Sequence, residues 1–120
     1  MADAIVVSQT AFYTVKPNTP VTLSVVIGDG QEGGTAVTLE GELVGSGGDI
    51  QNLRIGKPGR DLRDASIECT TTVKDINPAT NHTSVTYSLS GGNEDRDFSY
   101  DVTVSEAGGR AVYVVVFLLS

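Results

Sequence analysis

The side chains able to do chemistry in this sequence are few and far apart. His82 is the only histidine and Cys69 the only cysteine, so a zinc site built from histidine and cysteine cannot be assembled within one chain. A Ser-His-Asp or Cys-His nucleophile would have to use His82. That residue follows Asn77-Pro78-Ala79-Thr80-Asn81, a run dense in turn formers, where a solvated imidazole is the natural expectation. Paired-carboxylate hydrolysis has acids to draw on, but Trp is absent and only three Phe and four Tyr are available to grip a substrate. The expectation is a protein that is not an enzyme. Cys69 lies in Ile67-Glu68-Cys69-Thr70-Thr71, where strand alternation puts Ile67, Cys69, Thr71 and Val73 on one face. It reads as a small buried hydrophobe rather than a reactive thiol.

Three polar clusters remain. Asn93, Glu94, Asp95 and Asp97, interrupted by Arg96, are the densest group of oxygen ligands in the chain. A hydrophilic hairpin tip explains them. The chemical alternative is weak calcium binding, since calcium takes six to eight oxygens from carboxylates, carbonyls and water, with Asp29 and Glu32 joining if their loop falls at the same end. The spacing is not that of an EF-hand. Arg54, Lys57, Arg60 and Arg63 hold half of the eight basic residues, with Asp61 and Asp64 interleaved. They read as a salt-bridged loop or as a contact for an acidic partner or sulfated glycan. Gly28-Asp29-Gly30-Gln31-Glu32-Gly33 matches the dinucleotide-binding glycine pattern, which also requires a helix after it. Gly34-Thr35-Ala36-Val37-Thr38-Leu39 leads into a strand instead, so the segment is expected to be a flexible hairpin loop and no cofactor is assigned.

The last apolar run, Ala111 to Leu119, is apolar at every position. Val112, Val114, Val116 and Leu118 form one face; Tyr113, Val115, Phe117 and Leu119 form the other. A sandwich strand ordinarily keeps one face in water. Either the irregular segment Ser46 to Asp64 covers the outer face, or that face is an interface. For the interface the expected residues are Tyr113, Val115, Phe117 and Leu119, through which the protein would self-associate or dock to a partner.

The elements that must position these groups follow from composition. Val, Thr and Ile number 16, 13 and 6 of 120 residues, against 8 Leu, 8 Ala and 6 Glu, so strand formers heavily outweigh helix formers. Short alternating runs separated by Gly, Asn, Asp and Pro predict an all-β, single-domain antiparallel β-sandwich of seven to nine strands spanning 1–120, immunoglobulin-like or a related Greek key. The first strand covers Ile5 to Val15, with a break near Ser8-Gln9, and the last four strands form a meander of hairpins.

Charge narrows the partners. Fifteen acids against eight bases give −7, which disfavours nucleic acid and anionic membrane surfaces. Ile5-Val6-Val7 is too short for a leader's apolar core, and the nine-residue terminal run could not span a bilayer as a helix. Compartment therefore stays open. Asn81-His82-Thr83 has glycosylation spacing, a match frequent by chance. Carbohydrate binding is a weaker expectation, because Tyr13, Tyr87, Tyr100 and Tyr113 all fall in predicted strands. The sequence thus points first to an interaction or structural module, and second to a calcium- or carbohydrate-binding module using the acidic and Gly-rich loops.

Overall fold

In a computed structural model, described here over residues 4–16, 19–56 and 62–120, the chain forms nine strands in two packed sheets: β1 (Ile5–Tyr13), β2 (Val21–Ile27), β3 (Glu32–Leu39), β4 (Glu42–Gly47), β5 (Ile50–Ile55), β6 (Ser66–Lys74), β7 (His82–Ser90), β8 (Arg96–Thr103) and β9 (Arg110–Leu119). The order is β1-β9-β6-β3-β4 in one sheet and β5-β2-β7-β8 in the other. No helix occurs among the described residues. The expected sandwich is what the chain builds.

Its details depart from expectation in four places. β1 is unbroken and runs parallel to β9, from Ile5 opposite Ala111 to Tyr13 opposite Leu119. Parallel neighbours need a long crossover, and between the first and last strands the rest of the chain supplies one. The last four strands are not a meander. Only β7–β8 is a hairpin, while β6 pairs with β3 and β9. The Gly28–Gly33 segment is not a hairpin either, because it passes from β2 in one sheet to β3 in the other. Its turn at Asp29 (φ 58°) and Gly30 (φ 70°) is closed by the Gln31 amide donating to the Gly28 carbonyl at 3.2 Å. Finally, Gly45 to Gly47 belong to β4, joined to β3 through Glu40 (φ 49°) and Gly41 (φ 84°). Two successive positive φ angles are the geometry of a two-residue hairpin turn that suits strand twist.

Strand alternation then places one face of each strand between the sheets. Val37, Leu39, Ile67, Cys69, Val73, Tyr113, Val115 and Phe117 come from the five-stranded sheet, and Val21, Leu23, Val25, Val85, Tyr87 and Leu89 from the other. Phe117 packs against Tyr87 and Phe98, with ring centroids 5.8 and 5.1 Å apart. Two hydroxyl contacts cross this apolar layer. The Tyr87 hydroxyl lies 2.7 Å from Thr71 Oγ1, which lies 2.9 Å from Thr35 Oγ1. Tyr113 reaches Thr83 Oγ1 at 2.6 Å, and Thr83 donates to the Val102 carbonyl at 2.8 Å. Thr83 has one hydroxyl proton, so Tyr113 must be the donor to it.

These contacts differ in how replaceable they are. Thr71→Val keeps shape but leaves the Thr35 and Tyr87 hydroxyls without that partner, so it should cost about 2–3 kcal/mol. Tyr87→Phe leaves Thr71 paired with Thr35 and should cost only about 1 kcal/mol. At roughly 4 °C per kcal/mol, thermal unfolding separates the two. Equal midpoints would contradict the buried relay.

Candidate functional site

The margin of the five-stranded sheet formed by β1 and β9 is the first candidate. Tyr113, Val115, Phe117 and Leu119, expected at an interface, are all buried in the core. Both faces of β9 are apolar, so alternation alone could not say which one points inward; the packing of the second sheet against the tyrosine-phenylalanine face decides it. The outward face carries Val112, Val114, Val116 and Leu118, directly beside Val6, Ser8, Thr10 and Phe12 of β1. Val6 and Phe12 are 63% and 65% exposed and Leu118 38%, while the three valines are half-buried. On the other side of β9 the outward residues of β6 are Ser66, Glu68, Thr70 and Thr72, so the apolar stripe ends there. Of the described parts of Ser46 to Asp64, β4 occupies the opposite edge of the sheet, β5 lies in the second sheet, and Leu62 to Asp64 meet only the end of β9, with Leu62 in the core and the Asp64 amide donating to the Leu119 carbonyl at 2.8 Å.

The acidic tip is held by a tyrosine. The Tyr13 hydroxyl accepts from the Gly92 amide and donates to the Glu94 carbonyl, both at 2.9 Å, while the Asn93 amide donates to the Thr14 carbonyl at 3.1 Å. A Cβ at Gly92 would meet the Thr14 carbonyl oxygen at 2.2 Å, so glycine is required for the tip to dock on the end of β1. Arg96 lies over the Phe98 ring at 4.9 Å, and Asp97 sits exposed in β8. Asp29 and Glu32 are at the other end of the sandwich, because β2 and β7 pair Thr22 with Ser90 and Ile27 with Val85. They do not join the tip. Among the described residues no group of three or more His, Cys, Asp or Glu side chains is arranged to hold a metal ion.

His82 is more engaged than a solvated imidazole. It opens β7 opposite Thr103 of β8, with Asp101 diagonal to it. Its Nδ1 lies 2.9 Å from Thr103 Oγ1, and its Nε2 lies 2.9 Å from Asp101 Oδ2 and 4.0 Å from Asp29 Oδ2. Asp29, His82 and Asp101, with Ser84, Thr86, Ser99 and Tyr100, line an open groove of about 460 Å³. The register of the β7–β8 hairpin, which the sequence does not display, brings His82, Asp101 and Thr103 together, and the β2–β3 connection adds Asp29. The imidazole is 37% exposed and Asp101 65%, so both groups are open to solvent.

Arg54 is exposed on β5, and Arg63 is exposed in the turn before β6. Lys57 and Arg60 lie outside the described residues. Within the Gly-rich segment the informative residue is Gln31, which is buried. Its Oε1 accepts from the Ile76 and Asn77 amides, and its Nε2 donates to the Thr80 and His82 carbonyls at 3.2 and 3.0 Å. One side chain thereby fastens the β6–β7 connection and sets the start of β7, where His82 stands. Asp75, four per cent exposed, has no hydrogen-bond partner for either carboxylate oxygen among the described residues. Its backbone is bound by Gly108 and Gly109.

No protein family, curated protein or solved structure matches the chain.

Burial also makes the titration of the core legible. The Cys69 thiol is pushed up to about 12 by burial, with a smaller push from Glu68. Burial likewise raises Tyr13, Tyr87, Tyr100 and Tyr113. The unfolded chain releases these protons first, so the contribution is whole below the unfolded thiol's value of 9.0 and declines as pH climbs toward about 12. Urea midpoints should hold steady to about pH 8.5 and fall above it. Iodoacetamide should modify Cys69 only as the protein unfolds. A midpoint level to pH 11, or rapid labelling of the folded protein, would contradict the buried assignment.

Proposed function

We propose that this protein is a non-catalytic β-sandwich interaction module that self-associates through the β1–β9 margin. The observation that carries the reading is the contiguous outward stripe of Val6, Phe12, Val112, Val114, Val116 and Leu118. Exposed apolar side chains scattered singly need no explanation, whereas a continuous stripe rimmed by polar residues is the usual form of an interaction site. The −7 charge keeps such a protein soluble while leaving this margin free for contact. An immunoglobulin-like relation within the sandwich class belongs to the same reading. It is supported by β3, β6 and β9 lying side by side, as strands C, F and G do in immunoglobulin domains. The hairpin β7–β8, inserted between β6 and β9, departs from that pattern.

The test is light scattering across a concentration series. The wild-type protein should show a rising weight-average mass, and Val6→Lys/Phe12→Lys should stay monomeric. Both side chains point to solvent, so the unfolding midpoint should move by no more than about 2–4 °C. A wild-type monomer throughout would overturn self-association.

A second reading is favoured by the groove at His82. Two carboxylates, an imidazole and several hydroxyls suit a small polyhydroxylated ligand such as a sugar, bound by hydrogen bonds. A monosaccharide panel read by thermal shift tests it, with Asp101→Asn expected to abolish any stabilisation. No shift with any sugar would dismiss it.

A further inference from the structure

The four edge strands of the sandwich are β1, β4, β5 and β8, and three of them are defended. An open edge presents unpaired amides and carbonyls that invite another strand, and natural edges are blunted by charge, proline or bulges. β4 carries Glu42 and faces a register shift at Val37/Thr38. β5 carries Arg54 and lies against a shift between Leu23 and Val25, with Asn52 at φ 51°. β8 carries Arg96, Asp97 and Asp101. β1 has none of these devices. Its nine residues, IVVSQTAFY, contain no charge and no proline, and its ladder with β9 is unbroken. Among the described residues no strand pairs with its other edge.

We infer that β1 is the dimerisation edge of this protein, pairing antiparallel with β1 of a second copy about a two-fold axis through Gln9 to make one continuous ten-stranded sheet. The inference rests on the self-association proposed above and specifies its partner and register. A two-fold contact requires a self-complementary surface, and the strand has that pattern: apolar Ile5-Val6-Val7, polar Ser8-Gln9-Thr10, apolar Ala11-Phe12-Tyr13. Centred on Gln9, the pairing sets Val6 of each copy opposite Phe12 of the other on the outward face, and Ser8 opposite Thr10. The most exposed apolar side chains of the margin are thereby the ones that meet. Aromatic and β-branched pairs of this kind are favourable across antiparallel strands.

Charge favours the same occupant. Two copies at −7 repel at long range, and a strand without charge is where they can approach at least Coulombic cost. Association should therefore strengthen with added salt. The strand is about 30 Å long. Edge pairing of that length covers less than the roughly 1,200 Å² of a standard interface, which places it among the weak, transient contacts.

The register is tested with Gln9→Cys in the full chain, at about 0.1–1 mM to populate a weak dimer. Residues directly opposite on antiparallel strands have Cα atoms about 4.5–5.5 Å apart, within disulfide reach. The native Cys69 is buried and does not compete. Under mild oxidation Gln9→Cys should form a covalent dimer at least about tenfold faster than Gln51→Cys on the exposed part of β5, faster still in high salt. If the wild-type protein self-associates but Gln9→Cys links no faster than Gln51→Cys, the edge register is wrong while self-association stands. A wild-type monomer at these concentrations overturns both.

Discussion

Two hydroxyl contacts that cross an otherwise apolar layer hold this sandwich in register. A buried hydroxyl without a partner costs roughly 1–3 kcal/mol, so Tyr87 and Tyr113 can be buried only where a threonine of the opposite sheet meets them. Thr71 and Thr83 stand at those places. Apolar packing alone would let two twisted sheets slide, because it is not directional. A tyrosine that must find one particular oxygen does not slide. With no disulfide in the chain, these contacts and Phe117 wedged against Tyr87 and Phe98 set how far β9 lies over β7 and β8. They also determine where β1 ends up, since β1 is fastened to β9 along its whole length.

Fixing β9 in this way decides which of its faces is inward, and that was the one thing its sequence could not tell. Most strands announced themselves. The alternation in Val21 to Ile27, Ala65 to Asp75 and Phe98 to Val104 is one-sided, so both strand and inward face could be read from residue types. Ala111 to Leu119 is apolar on both sides, and a period of two then gives no preference between them. The larger side chains, Tyr113 and Phe117, went to the core because the second sheet offers aromatic and threonine partners there and the outer face offers none. The parallel partnership of β1 with β9 was equally invisible, since pairing between the two ends of a chain leaves no local signal. The cluster at His82 was hidden for a related reason: its members come from two strands and a loop and meet only through hairpin register. Gln31 could have been noticed. A long amide side chain among glycines, next to a turn of the Asp-Gly type, is well placed to satisfy the backbone of a neighbouring connection.

The same tyrosine chemistry connects the core to the surface. Tyr13 closes β1 by binding the Gly92 amide and the Glu94 carbonyl, so the acidic turn is a clasp on the end of the strand. Glu94 and Asp95, among the densest acids of the chain, are thereby held at one tip of β1 rather than along its edge. The described charged residues lie at strand ends, on β5, on the outer faces of β6 and β8, and in the loops. The margin from Ile5 to Tyr13 is left uncharged.

An edge of that kind is costly to keep unless it is used. A long, unbroken strand with unpaired backbone groups and exposed valine and phenylalanine is a template for indiscriminate pairing, and the remaining three edges carry the charges and register shifts that suppress it. Parsimony would have put one lysine into β1 as well. Ser8 and Thr10 face solvent in the middle of the strand and could be charged with no loss to the core, as Glu68 and Lys74 are on β6. Their neutrality, in a chain where one residue in five is charged, fits the self-association proposed above. A partner brought in by backbone pairing needs no deep pocket and no cofactor, only an open edge of the right length and a stripe of apolar side chains to reward alignment. That is the equipment the proposed self-association would use, and under that proposal the apolar stripe and the undefended strand belong to one explanation.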